Sequence, residues 1–237
     1  YSIIPFVTMR PFEQVRVDLA YMNTNVRLVG VGAGVSYGPA GATHHSIEDI
    51  AIMRALPNMT VFAPGDPWEV EQATIASVEH QGPIYFQLAK KGEPVFSQPQ
   101  AKFEFGKVNI IEQGADLYIL SSSNVLDLAV EISAELKLSK IKPTVVSIHT
   151  IKPLDKAYIL KILKTNKPIF TIEEHNIIGG LGSAISEVIA ESGANPVFKR
   201  FALPDQYSHY VGSQKHIRSK FGLTVKNILK QIREKIK

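Results

Sequence analysis

Apolar residues fall in short β-branched runs that alternate with stretches repeating every three to four positions. Residues 26–31 (VRLVGV), 60–63 and 84–88 are short, nearly continuous apolar runs and predict buried strands. Ser46, with Asp49 three residues on, carries a capping pattern, and the helix it predicts stops before Pro57. Asp66-Pro67 announces a second helix, a side-chain cap followed by proline at the first helical position. Strands separated by helices argue for a parallel sheet covered on both faces.

Residues 90–105 (KKGEPVFSQPQAKFEF) break the alternation, and Gly92, Pro94 and Pro99 mark them as a linker. Beyond them the pattern resumes. Strands are predicted at 117–121, 144–148, 169–172 and 197–203, with a helix at 155–165. Val125, Leu128, Ala129, Ile132 and Leu136 form one helical stripe, and Leu181, Ala184, Ile185, Val188 and Ile189 form another. The last stripe is Val225, Ile228, Leu229, Ile232 and Ile236, with Lys226, Lys230 and Arg233 facing away. A membrane-surface helix has a similar pattern; completing a strand–helix series, this one is expected to pack on the core. The predicted fold is α/β, with two consecutive units whose mainly parallel sheets are covered by helices. Their expected limits are 1–95 and 106–237, the first truncated at its N-terminus.

Composition narrows the function classes. With 237 residues, 45% apolar and 20% charged, the chain can bury a sizeable core, which excludes a disordered tail. No apolar stretch approaches the roughly 18 residues of a membrane helix. Cysteine is absent, which removes disulfides, iron–sulfur clusters, thiolate zinc sites and cysteine nucleophiles, and fits the cytoplasm. Residues 1–105 carry 7 Lys/Arg against 10 Asp/Glu, and residues 106–237 carry 19 against 12. The basic residues are scattered without an arginine-rich block, so no nucleic-acid partner is expected. Tyr1 is not preceded by methionine or by a signal-peptide pattern, and the start reads as a cut.

Several positions are candidates for chemistry. Gly30, Gly32 and Gly34 follow a strand, as a phosphate loop or a tight turn would. Gly179, Gly180 and Gly182 lie between a strand and a helix, the context of a dinucleotide loop or of a helix packed closely on its sheet. Both miss the dinucleotide spacing. His44 and His45 stand in a glycine-rich loop just before the Ser46 helix, where an imidazole lies near a helix N-terminus. His175 reads as structural. Glu173 and Glu174 are adjacent on a strand and point to opposite faces, so they cannot flank one glycosidic bond. No nucleophile elbow and no HExxH pattern is present. From the residues alone, the reading stops at an α/β protein with a candidate loop at His44.

The segment GPAGATHHSIEDIAIMRALPNM at 38–59 resembles the transketolase family of thiamine-diphosphate enzymes, whose pyrimidine domain carries G-x-D-G-x-T-H-x-x-x-E-D-x-x-x-x-R-x-x-P-N. APGDPWE at 63–69 fits that family's next signature, and HTIKPLD at 149–155 and TIEEHNIIGGLGSA at 171–184 resemble its C-terminal domain. The resemblance covers essentially the whole chain. It implies the pyrimidine-binding and C-terminal domains of an enzyme that transfers a two-carbon ketol unit in carbohydrate metabolism. The cofactor would be thiamine diphosphate with a divalent cation such as Mg, needing a diphosphate-binding domain or subunit as partner. No metal ligand is implied in this chain. Self-association as a dimer or heterotetramer is implied too.

Carried over by position, the aromatic segment YSIIPFVTMRPF at 1–12 places Phe6 and Ile3 against the aminopyrimidine, with Ile3 where many members have a second aromatic. His44 matches the histidine that contacts substrate hydroxyls or stabilises charge at the reacting carbon. Lys90 takes roughly the place of a substrate-phosphate arginine. Ala40 stands where transketolases have an Asp, and Gly32 where many have a histidine. The family's activating glutamate falls some two dozen residues before the aromatic segment, ahead of Tyr1, so the chain alone is expected to be inactive. A 2-oxo acid dehydrogenase β subunit, a deoxyxylulose-phosphate synthase and a non-catalytic assembly or regulatory subunit are the rival readings.

Overall fold

The computed structural model describes residues 1–98 and 100–236; Pro99, one of the linker marks, lies outside the described residues. Two five-stranded sheets form the molecule. The first has the order β1 (Ser2–Ile3), β2 (Arg27–Val31), β4 (Ile84–Leu88), β3 (Thr60–Phe62) and β8 (Thr150–Lys152). Its first four strands are parallel, and β8 runs antiparallel to β3. The second sheet has the order β10 (Phe198–Leu203), β9 (Ile169–Asn176), β6 (Leu117–Ser121), β7 (Pro143–Ser147) and β5 (Asn109–Glu112). Only β5 is antiparallel there.

Each of the three predicted apolar stripes lies on a helix. α3 (Asp49–Ala55) and α4 (Pro67–Ala76) belong to the first sheet; α5 (Leu126–Leu138), α6 (Lys156–Leu163) and α7 (Leu181–Ser192) follow. α8 (Gln214–Lys220) and α9 (Val225–Lys235) end the chain. α9 buries Ile228, Leu229 and Ile232 on the core and turns Lys226, Lys230 and Arg233 outward, so it is a core helix. The short opening elements, β1, α1 (Ile4–Thr8), α2 (Phe12–Gln14) and a π-helical stretch Val15–Tyr21, have no clean period, so hydrophobic spacing does not reveal them. The same holds for β5, β8 and α8. β1 covers only Gly30 and Val31 of β2, so Arg27, Leu28 and Val29 lack a second strand neighbour among the described residues.

One expectation changes. Ser46 does not cap α3. Its backbone N–H donates to Gly34 O at 2.8 Å, its buried hydroxyl has no partner, and the cap position falls at Glu48. The capping pattern has a stronger competitor in this bridge between the ends of one loop. β8, which no local pattern reveals, comes from beyond the linker yet completes the first sheet. Val61 pairs with Lys152 and Phe62 with Thr150. One apolar core accordingly joins both sheets, with Ile50, Met53, Met59 and Val61 from one side and Val146, Ile151, Ile159 and Ile185 from the other.

The linker is stitched down. Phe103 and Phe105 pack edge-on against Phe62 at 5.8 and 5.6 Å between ring centroids. Asp66, the N-cap of α4, accepts from Glu69 N at 2.9 Å through Oδ1. Its Oδ2 accepts from Phe96 N at 2.9 Å and Ser97 N at 2.7 Å. Glu69 accepts from Gly65 N at 2.7 Å, from Asn109 Nδ2 at 2.9 Å and from Ser147 Oγ at 3.0 Å, so the two carboxylates at the start of α4 join it to the linker and the second sheet. Burial pushes the Glu69 carboxyl up to about 7, against three donors that favour its charge.

Asp66→Ala removes a cap and two linker bonds at once and should destabilise the fold by about 2–3 kcal/mol in urea unfolding. Glu69 sets a pH dependence. Its folded carboxyl holds a proton above the ordinary value of 4.5 and up to about 7, so its contribution to stability falls as pH rises through that window. Compared with Glu69→Gln, the wild-type chain should lose about 1 kcal/mol of stability per pH unit there; parallel pH profiles would contradict this.

Candidate active site

The parallel strands β1, β2 and β4 all end on one edge of the first sheet, and the segments leaving that edge build the site. β1 passes directly into α1, with proline in the first turn fixing the entry. Ile3 ends the strand and Phe6 follows in the first helical turn, both half-buried. β2 passes into the loop 32–48, whose start is anchored on β4: Gly32 N and Ala33 N both donate to Leu88 O, at 2.8 and 3.0 Å. Gly32 has φ +97°, and a Cβ there would overlap the Tyr37 ring. This position needs glycine for its backbone and for the space that Tyr37 takes.

Two short 3₁₀ turns, Gly38–Ala40 and Ala42–His44, carry the loop to its histidines. The His44 ring meets the Phe6 ring edge-on, with 5.2 Å between centroids and 70° between planes. Thr43 Oγ1 lies 2.9 Å from His44 Nδ1, and among the described residues no hydrogen bond engages Nε2, which can turn to a ligand. The Arg10 guanidinium lies 4.3 Å from the Phe6 centroid. His45 is buried, its Nε2 has no partner among the described residues, and burial lowers its pKa. Deeper still, Asp49 accepts from Tyr85 Oη at 2.6 Å and Gln87 Nε2 at 2.7 Å. Burial, with Asp49 second, holds the Tyr85 phenol well above its ordinary pKa.

The structure therefore brings Phe6 and His44 into contact. Lys90 leaves β4 on the same edge and is exposed, with Nζ 5.2 Å from the Tyr37 centroid. Ile3 lies at the end of β1, paired with Val31. Ala40 is exposed and offers no polar side chain. No local signal singles out Tyr37, because nothing in the neighbouring residues says which ring will fill the space beside Gly32.

Neither glycine-rich loop is an empty phosphate cradle. A Cβ at Gly34 would overlap the Glu174 carboxylate, and one at Gly180 would overlap Glu173. Glu173 accepts from Leu181 N at 2.6 Å and Gly182 N at 2.8 Å, so a carboxylate of the chain itself occupies the α7 N-terminus where a pyrophosphate would bind. His175 is buried and half satisfied, its Nδ1 2.7 Å from Asn176 O and its Nε2 without a partner. Among the described residues, no three His, Asp or Glu side chains are grouped to hold a metal ion, and no helix is long and apolar enough to cross a membrane.

Comparison with known proteins agrees with this architecture. Residues 3–93 match the family model "Transketolase, pyrimidine binding domain", and residues 106–228 match "Transketolase, C-terminal domain". The chain is 36% identical over 225 residues to a subunit of the apulose-4-phosphate transketolase of Actinobacillus succinogenes, covering 95% of this chain and 72% of that protein. It is 32% identical over 234 residues to the 6-deoxy-6-sulfo-D-fructose transketolase subunit SqwH of a Clostridium species, covering 99% and 72%. A solved structure described as a split gene transketolase, inactive beta4 tetramer, superposes with a TM-score of 0.89 at 30% identity, covering 99% of this chain and 75% of that one. With pyrimidine-binding and C-terminal sequences in that order and a matching fold, this chain belongs to the transketolase family of transferases.

Proposed function

We propose that this chain is the pyrimidine-binding and C-terminal part of a thiamine-diphosphate-dependent transketolase, with residues 1–95 and 106–237 as the two domains. In this reading it moves a two-carbon ketol unit between sugar-type substrates, together with a separate diphosphate-binding subunit. The observation that carries the proposal is the contact of Phe6 with His44 at the open edge of the first sheet. An aromatic ring and an imidazole with one free nitrogen suit a flat heteroaromatic ring next to a hydroxylated substrate. In this reading the diphosphate end of the cofactor, with its Mg ion, belongs to the partner subunit. The description of the related split-gene beta4 tetramer as inactive supports both self-association and the need for that partner. The cysteine-free composition supports a cytoplasmic location.

Thiamine diphosphate, when bound, supplies the nucleophilic carbon and electron sink that ketol transfer requires. Phe6 and Ile3 give the pyrimidine end apolar contact. His44 hydrogen-bonds substrate hydroxyls through Nε2, with its Nδ1 held by Thr43 and its ring edge by Phe6. Lys90 offers a point charge to an anionic group on the sugar, without the bidentate geometry of arginine. The two related proteins, named for a phosphorylated and a sulfonated sugar, support an anionic substrate.

Mixed with its diphosphate-binding partner, the chain should bind thiamine diphosphate in calorimetry, and alone it should not. In the mixture, His44→Ala should lower kcat/KM roughly 100-fold. Phe6→Ala should weaken cofactor binding about tenfold. Lys90→Ala should raise KM about tenfold for a phosphorylated donor and leave an uncharged one unchanged. Cofactor-independent behaviour of the mixture, or an unaltered kcat/KM for His44→Ala, would overturn the reading.

A further inference from the structure

The 32–48 loop carries His44, but what grips it from behind comes from the other sheet. Glu174, on β9, has a fully buried side chain. Its Oε1 accepts from Val35 N at 2.7 Å, Gln214 Nε2 at 2.8 Å and Asn124 Nδ2 at 3.2 Å. Its Oε2 pairs with the Arg218 guanidinium, which also donates to Asn124 O at 2.8 Å. Asn124 reaches the same loop, donating to Ala33 O and Ser36 Oγ, each at 3.1 Å. Two residues along β9, Asn176 N donates to Ile47 O at 2.7 Å. One strand of the second sheet therefore holds the loop near both ends, at Val35 and Ile47. The two ends are tied to each other by the bond from Ser46 N to Gly34 O. His44 stands two residues from that tie.

We propose that Glu174 is a positioning residue: through Val35 and the Gly34–Ser46 bridge, it sets where the loop places His44. A buried ion pair is a poor source of net stability, because desolvation offsets its attraction. What it supplies here is a fixed direction. A carboxylate with acceptor sites on two oxygens ties one backbone amide of the loop to donors on α8 and on the turn before α5. Glycine at position 34 lets the loop backbone approach that carboxylate. The geometry stands without any assignment of chemistry, whereas the consequence for catalysis rests on the role of His44 proposed above.

Hydrogen exchange of the full chain, read by mass spectrometry, tests the clamp directly. Glu174→Gln keeps the shape and removes the charge. Amides at 33–37 and 44–48 should exchange roughly tenfold faster, while α5, α7 and the second sheet keep their wild-type protection. The double variant Glu174→Gln/Arg218→Gln removes the stranded guanidinium and should leave the loop loose. Unchanged protection of the loop in Glu174→Gln overturns the proposal. So does restoration in the double variant, because Glu174 would then serve only to neutralise Arg218. Faster exchange throughout the chain overturns it too, as a general loss of stability. Should Glu174→Gln fail to fold, Gln214→Ala removes one donor from the same carboxylate and should loosen the same two segments to a smaller degree; no local change would count against the clamp. In the loaded assembly, Glu174→Gln should lower kcat more than it raises KM. A loosened loop with unchanged kcat would leave the clamp standing and instead remove His44 from the chemistry.

Discussion

Strand β8 is the constraint on which the rest of the architecture depends. It follows the linker in the chain, yet its hydrogen bonds go to β3 of the first sheet. A sheet edge satisfied by another unit's strand ties the two units together through backbone bonds. The apolar side chains around it then merge into one core, which holds Ile151 together with Val61 and Met59. Lys152 adds to the tie, donating to the carbonyls of Arg54 and Leu56 at the end of α3. Two α/β units joined by a loose linker would be free to hinge. Here the strand, the shared core and the aromatic cluster at Phe62 give them a common framework.

That framework bears on the site because the first sheet supplies the chemistry and the second supplies its support. Phe6 and His44 leave the ends of parallel strands in the first sheet. Such an edge is rich in loops, and loops position side chains only as well as their anchors allow. The anchors come from the second sheet, through Glu174, Asn176 and Asn124. The adjacent glutamates divide the work: one caps α7, and the other faces the loop. Their opposite orientation on β9, which excludes a shared acid–base role, also lets neighbouring residues serve two separate structures.

The elements legible in the sequence are those with a strong period. Val29 and Phe86 lie in apolar strand runs, the Ile228–Ile232 stripe marks α9, and Asp66-Pro67 announces α4. Each is a local signal, read from spacing and from the conformational preferences of a few residues. Ser46 shows the limit of such signals. Its capping pattern is sound locally, but a backbone bond to Gly34, twelve residues earlier, takes the position. β8 shows the same limit at larger scale, since nothing in three residues says which sheet they will join.

The sequence by itself determined the α/β alternation, the family and the presence of an aromatic and a histidine in segments that could meet. It did so because hydrophobic period, turn chemistry and motif wording are properties of neighbouring residues. Only the tertiary structure decided that Phe6 touches His44, that Tyr37 fills the space beside Gly32, and that the two glycine-rich loops hold carboxylates of the chain itself. Those outcomes depend on contacts between residues far apart in the chain, such as the bond between Glu174 and Val35. A buried carboxylate must find donors wherever the fold brings them within reach, and that choice is made by packing, which no local pattern records.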